Sequence, residues 1–95
     1  MRNFENHTEK SFYDFMLSSG RLLETASWSY VNRLRGIRSL DVLENENIDF
    51  HISNYTTGPM AGVNRKNHGA YSSALKWFKR YVQSKAPGAT AGAAE

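Results

Sequence analysis

The sequence contains no cysteine, only two prolines and no long apolar run. Without cysteine the chain forms neither a disulfide nor a thiolate zinc site. Crossing a bilayer takes about 18 to 20 consecutive apolar residues, and no segment approaches that length. The first ten residues, MRNFENHTEK, also have no apolar run of the kind found in signal peptides. We therefore expect a soluble protein with no membrane partner, most simply cytoplasmic.

Acidic residues are missing from the segment between Gly62 and Lys85. This segment carries six cations, which are Arg65, Lys66, Lys76, Lys79, Arg80 and Lys85. Residues 41–50 show the opposite pattern, with no cation and four acids, which are Asp41, Glu44, Glu46 and Asp49. Because the net charge of +3 is so unevenly distributed, we expect a dipolar molecule with one face suited to phosphate. A solvated outer face on an ordinary core helix is the alternative interpretation.

The residue types that carry out catalysis are present but not in catalytic patterns. His7, His51 and His68 are far apart in the chain and lack nearby acids at the spacing of metal ligands. No serine lies in a nucleophile elbow. The segment GPMAG lacks the Lys-Ser/Thr pair of a phosphate-binding loop. We therefore expect no enzyme activity, no metal, no cofactor and no small-molecule substrate.

Length and hydrophobic spacing predict one helical domain over residues 1–85. A first helix is predicted over 8–19, capped by Thr8 or Ser11 and ended by Gly20 in a left-handed conformation. A second helix begins at Glu24 or at Thr25, its predicted N-cap. Both have apolar residues at helical spacing, which are Phe12, Phe15 and Met16 in the first helix and Tyr30, Val31, Leu34 and Ile37 in the second.

The second half of the chain is predicted to end in its clearest helix. A short third helix is expected over Ser39–Asn47, with Leu40 and Leu43 facing inward. Residues 48–55 alternate like a strand, but a lone strand has no partner to pair with in so small a domain, so a helical turn or an extended packing segment is preferred. A loop is predicted over 56–67, then a helix over 68–84. The predicted fold is an all-α bundle of about four helices with a long loop before the last helix.

Residues 86–95, APGATAGAAE, are of low complexity and are predicted to form a disordered tail or linker.

The helices are expected to share one core, whose predicted members are Phe12, Phe15, Tyr30, Leu34, Leu75 and Phe78.

Two segments, FYDFMLSSGRLLETASWSYVNRLRGI and NRKNHGAYSSALKWFKRYV, resemble a small helical domain at the N-terminus of some restriction-type proteins. These include HNH endonucleases and ATPases of modification-dependent restriction systems. The layout is also similar to the core-binding domain of tyrosine recombinases, whose helices clamp DNA. The matching residues are Thr25, Ala26, Tyr30, Leu34, Asn67, Tyr71, Ser72, Ala74, Leu75, Phe78 and Tyr81.

The resemblance implies an all-α, DNA-associating fold. It implies no catalysis in this chain, since no nuclease, ATPase or recombinase domain follows. The turn before the second helix departs from the pattern, because Arg21-Leu22-Leu23-Glu24 stands where a serine is expected.

The candidate binding residues are cations around the last helix. Arg65, Lys66 and Asn67 are predicted to lie in a turn before this helix, whose first N–H groups form a phosphate seat. Further contacts are assigned to one side of this helix, through Lys76, Lys79 and Arg80. A second row of contacts, expected to face solvent, is assigned to Arg33, Arg35 and Arg38. Base stacking by Tyr71, Trp77 and Tyr81 is a weaker alternative, because their helical spacing is typical of a core.

The sequence thus predicts a non-catalytic helical module that binds the phosphate backbone of duplex DNA with little base readout. The alternative is a protein-interaction module whose partner is a nucleic-acid-handling protein. A phage- or mobile-element-encoded inhibitor of a host defence nuclease is one form of this alternative. A detached dimerisation or scaffold domain is the third interpretation.

Overall fold

The computed structural model of the protein describes residues 3–85, so the predicted tail at 86–95 lies outside the described residues. The prediction of an all-α fold is confirmed, since residues 3–85 contain helices and no strand. Six helices lie in this range, and the four longest, with 9 to 16 residues, agree with the predicted bundle of about four helices. They are α1 (His7–Ser18), α2 (Glu24–Arg35), α3 (Leu40–Leu43), α4 (Ile48–Thr56), α5 (Ala61–Lys66) and α6 (Ala70–Lys85).

Helix α1 begins one residue earlier than predicted because Asn6 caps it. The Asn6 side chain accepts a hydrogen bond from the N–H of Glu9 over 2.9 Å, as a good N-cap residue does. The predicted cap Thr8 instead lies in the first turn of α1, where its side chain is buried and its hydroxyl donates a hydrogen bond to Glu44. After the helix, Gly20 adopts a φ of +74°, which confirms the predicted left-handed residue.

The next two helices begin as predicted, α2 at Glu24 and α3 directly after Ser39, but the predicted N-cap of α2 is wrong. Thr25 lies inside the first turn of α2, because Leu23 is the residue that precedes the helix. Helix α3 is shorter than predicted and ends at Leu43, although Leu40 and Leu43 are fully buried as expected.

Helix α6 lies at the centre of the bundle and contacts α1, α2, α4 and α5. Four of the six predicted core residues are fully buried in one cluster, while Phe15 and Tyr30 pack against it and stay partly exposed. The α1–α6 contact is aromatic, with the ring of Phe12 edge-on to Phe78 at 5.0 Å between centroids. The central position of α6 leaves only its outward face for contacts with other molecules.

Two segments are more helical than predicted. Residues 48–56 form α4, in which Ile48, Ile52 and Tyr55 follow helical spacing toward the core while Phe50 is 63% exposed. The apparent alternation was therefore produced by one exposed phenylalanine. The predicted loop over 56–67 is wrong for its second half, because Ala61–Lys66 forms α5.

A buried ion pair joins α1 to α2. Arg35 donates from Nε to Oε2 of Glu9 over 2.8 Å and from Nη2 to Oε1, while the N–H of Glu5 donates to the same carboxylate over 2.8 Å. Burial would raise the pKa of Glu9, but the hydrogen bonds from Arg35 and Glu5 outweigh it and the pKa is lowered. The Arg35 guanidinium also lies over Trp28, 5.1 Å from the ring centroid.

Candidate nucleic-acid interface

Helices α5 and α6 are joined by the three residues Asn67, His68 and Gly69. His68 and Gly69 both have positive φ values, +56° and +76°. The N–H of Gly69 bonds to the carbonyl of Asn64 and the N–H of His68 to that of Arg65, at 2.9 and 3.1 Å. This pair of bonds is a Schellman motif, with histidine in the left-handed position that glycine usually takes. We call residues 61–80 the α5–α6 corner.

The side chain of Asn64 closes the corner from the inside. Its Oδ1 accepts the N–H of Ser72 over 3.1 Å, and its Nδ2 donates to Oγ of Ser72 over 3.0 Å. Ser72 in turn donates its hydroxyl to the carbonyl of Gly69. Asn64 and Ser72 are both buried, so one asparagine on α5 acts as the N-terminal cap of α6.

This cap overturns the predicted phosphate seat at the start of α6. Three of the first N–H groups have internal acceptors, since those of Ala70, Ser72 and Ser73 bond to Asn67, Asn64 and Gly69. Arg65 and Lys66 do not lie in a turn but in the last turn of α5. The start of α6 therefore offers few free N–H groups to an anion, and side chains would supply most of the contacts at this corner.

Four of the predicted cations are exposed at the corner, and we call them the basic face: Arg65, Lys66, Lys76 and Arg80. Lys76 and Arg80 are four residues apart and so lie on one side of α6. Lys76 also lies one helical turn after Ser72. Ser72 contacts Asn64, which is the residue before Arg65. Within residues 3–85 none of the four forms an ion pair, and α5 and α6 contain no acid. Their positive charges are therefore not compensated there.

Arg80 is held in place by an aromatic ring. Its guanidinium lies over Trp77, 4.9 Å from the ring centroid, at a distance typical of a cation–π contact. Trp77 in turn packs edge-on against Phe15 of α1, with 6.2 Å between centroids. The core thus fixes the ring that orients Arg80, and the guanidinium edge stays exposed.

Three other predicted binding residues are occupied by partners within the fold. Lys79 donates to Asp49 over 2.7 Å, Arg38 to Glu46 over 3.1 Å, and Asn67 to the carbonyl of Val63 over 2.8 Å. The side chain of Lys79 is still 40% exposed and that of Arg38 52% exposed. These exposed pairs are weak, but each cation is already matched by an acid.

The second row predicted on α2 does not form. Arg35 belongs to the buried pair with Glu9, and its side chain is only 22% exposed, so the expectation that it faces solvent is wrong. Arg33 is partly buried against Tyr71, with its guanidinium carbon 5.7 Å from the ring centroid. Its Nε is buried and has no hydrogen-bond partner within residues 3–85. Neither arginine is presented beside the basic face as a free surface charge.

Most acids of the described chain are paired with cations other than the four of the basic face. Glu44 bonds to Lys85 over 2.7 Å, and this bond is the main reason that the pKa of Lys85 is raised. The pKa of Glu46 is lowered, chiefly by its hydrogen bond with His51 and also by Arg38. The acidic segment at 41–50 is thus largely neutralised, whereas the basic face is not.

The aromatic residues proposed for base stacking are engaged in the core. Tyr71 stacks on Tyr55 with 5.1 Å between centroids, and Tyr81 is 5% exposed among Phe12, Phe15 and Phe78. Trp77 is covered by Phe15 and Arg80. All three rings are therefore engaged in contacts within the fold.

The described part of the chain has a surface without ligand pockets. Within it, no three His, Asp or Glu side chains come together in the manner of a metal site. None of its helices combines the length and the apolar content needed to cross a membrane. The most distinctive surface feature of residues 3–85 is therefore the basic face.

No model of a protein family, no curated protein and no solved structure matches the chain. The resemblance to restriction-type and recombinase domains accordingly stays a prediction. Sequence reasoning found all four residues of the basic face but missed Asn64. The sequence offered one signal for its role, since Asn64 is a polar residue eight positions before Ser72. Asn64 lies on the buried side of α5, and composition alone did not predict that helix.

Proposed function

We propose that the protein binds duplex DNA through its backbone phosphates, using Arg65, Lys66, Lys76 and Arg80. The observation that carries this proposal is that these four exposed cations, on two helices that contact each other, have no acidic partner in residues 3–85. Positive charge concentrated in this way attracts polyanions, and phosphate contacts supply most of the affinity in sequence-independent binding.

Duplex DNA is favoured over single strands because the aromatic rings are occupied. Proteins that bind single strands without sequence preference stack bases on exposed aromatic side chains. Here Tyr71, Trp77 and Tyr81 pack against other rings or against Arg80. The one strongly exposed aromatic residue among residues 3–85, Phe50, lies on α4 beside Asp49. The basic face therefore suits the backbone and offers no stacking platform.

A protein partner has less support. The large apolar side chains that are exposed in residues 3–85 are Leu23, Val42, Phe50 and Val63. They belong to four different places in the fold, the residue before α2 and helices α3, α4 and α5. Protein interfaces usually have a contiguous apolar centre, whereas here each element contributes a single exposed large apolar side chain.

The test is the salt dependence of affinity for a generic duplex, measured by fluorescence anisotropy. Four phosphate contacts predict a slope of log affinity against log salt of about −3.6. Lys66→Ala and Lys76→Ala should each reduce this slope by about 0.9. Both variants should weaken binding by a similar factor on unrelated sequences, because phosphates carry no base information.

Lys10→Ala is the matched control, since it removes one positive charge from a different face. Lys10 is 60% exposed, pairs with Asp14 on α1 and lies two residues from Phe12, on the side of α1 that points away from α6. The slope of log affinity against log salt for Lys10→Ala should equal that of the wild type. Equal slopes for all three variants would mean that general charge and not the basic face drives binding. No binding of the wild type at low salt would reject the proposal in favour of a protein partner.

A further inference from the structure

The geometry points to Asn64 as the positioning residue that joins the two halves of the basic face into one phosphate-binding site. This inference rests on the proposed function and adds a residue that carries no charge and that does not itself reach the surface. Arg65 and Lys66 belong to α5, while Lys76 and Arg80 belong to α6. Binding one DNA backbone with all four requires that the two helices keep a fixed relation.

Helix α5 packs against α4 and contacts α6, but few of its own side chains are buried. It has six residues, which is far shorter than a helix that is stable by itself. Among its residues only Asn64 is buried. Val63 is exposed, and Ala61 and Gly62 have small side chains. The position of its last turn, where Arg65 and Lys66 lie, relative to α6 therefore depends on the side-chain hydrogen bonds between Asn64 and Ser72.

Asn64 bonds to both sides of the corner. Its carbonyl accepts the N–H of Gly69 and so ends α5, while its side chain exchanges two hydrogen bonds with Ser72 and so begins α6. The two bonds to Ser72 are buried, so water does not compete for them. Lys76 lies four residues after Ser72 and is therefore its neighbour on the surface of α6. The asparagine thus sets the position of Arg65 and Lys66 relative to Lys76.

Preorganised cations bind more tightly than mobile ones because less side-chain and backbone freedom is lost on binding. If Asn64 is removed, α5 can move relative to α6, and Arg65 and Lys66 must be ordered when DNA binds. Their contribution to affinity should then fall, although neither residue has been changed. The contributions of Asn64 and of the pair Arg65 and Lys66 are therefore coupled.

A double-mutant cycle on duplex affinity measures this coupling. The four proteins are the wild type, Asn64→Ala, the double variant Arg65→Ala/Lys66→Ala, and the combined triple variant, each shown by circular dichroism to be folded at the assay temperature. We expect the loss of affinity caused by the Arg65 and Lys66 changes to be at least about threefold smaller in the Asn64→Ala background. The salt slope of Asn64→Ala should also fall toward that of the double variant.

A second cycle separates positioning from general destabilisation. Asn64→Ala combined with Lys10→Ala should be additive, because Lys10 lies on α1 away from the corner. Should Asn64→Ala not fold, Ser72→Ala replaces it, since alanine suits a helix. It removes the Oγ that accepts from Asn64 Nδ2 and donates to the carbonyl of Gly69, and it keeps the bond from the Ser72 N–H to Asn64. It should give a coupling of the same sign and smaller size.

The outcomes distinguish this inference from the proposed function. Duplex binding with the expected slopes, together with additivity between Asn64 and the pair Arg65 and Lys66, overturns the positioning role alone. An equal coupling with Lys10 overturns it as well, because the effect is then one of stability. If the wild type does not bind duplex DNA, both the proposed function and the positioning role are rejected.

Discussion

Replacing Glu9 with glutamine should destabilise the fold more than any surface substitution. The Glu9 side chain is fully buried and holds the Arg35 guanidinium with two hydrogen bonds. Glutamine keeps the size of the side chain but removes its charge. Arg35 is then left largely buried without its carboxylate, and Glu5, at 3.9 Å, is the acid that remains nearby.

The expected cost follows from the burial of the pair. Removing one partner of a buried ion pair costs about 3 to 5 kcal/mol in measured cases, and we expect about 3 kcal/mol here. The lower end applies because the Arg35 side chain is 22% exposed and Glu5 can approach it. In a domain of this size, that loss lowers the melting temperature by about 12 to 24 °C. Thermal unfolding followed by far-UV circular dichroism measures it directly.

The same pair predicts how stability depends on pH. The pKa of Glu9 is lowered in the folded state, so the stabilisation from the pair is fully present above the unfolded value of about 4.3. It is lost as the pH falls through the lower folded value. The stability difference between the wild type and Glu9→Gln should therefore shrink in that acidic window. Glu46, whose pKa is also lowered, is present in both proteins and does not contribute to the difference.

Asp14→Asn is the control, because it breaks an exposed pair with Lys10 at 2.9 Å. Such a pair contributes about 0.3 to 0.5 kcal/mol, so the control should melt close to the wild type. Equal melting of Glu9→Gln and Asp14→Asn would refute the reasoning and show that the α1–α2 ion pair does not hold the fold.

Two further predictions concern the core and the corner. Leu75→Ala should cost about 2 to 5 kcal/mol in unfolding free energy, because Leu75 is fully buried on α6; an unchanged denaturation midpoint would contradict its place in the core. His68 has a φ of +56°, which glycine adopts freely and β-branched residues do not. His68→Gly should therefore raise the free energy of unfolding by up to about 1 kcal/mol, and His68→Val should lower it. Chemical denaturation measures both changes. Midpoints that shift in the same direction for the two variants would count against the left-handed turn.

The elements that sequence reasoning placed well are those with strong helical periodicity. The observed α6, Ala70–Lys85, begins two residues and ends one residue after the predicted bounds of 68–84, because its apolar residues repeat at helical spacing along its length. Helix α5 was missed because Gly58, Pro59 and Gly62 are typical of a loop. Its helix is stabilised by tertiary contacts with α4 and α6, including those of Asn64, which leave no periodic pattern in the sequence.

The basic face was predictable residue by residue, but its limits were not. Composition shows that no acid lies near Arg65, Lys66, Lys76 and Arg80 in the chain. It does not show that Arg35 meets Glu9 from 26 positions away or that Lys79 meets Asp49 from 30 positions away. Which cations are compensated depends on such long-range pairs, and only the folded arrangement shows them.

The most direct test of the central claim is to map the surface of the protein that duplex DNA contacts. Amide and arginine side-chain NMR signals of the wild type are followed while a generic duplex is added at low salt. The account predicts the largest shifts at residues 65–66 and 76–80, and their reversal when salt is added. Shifts centred on α3 and α4 around Phe50, or no shifts at all, would contradict the proposal that the basic face binds DNA.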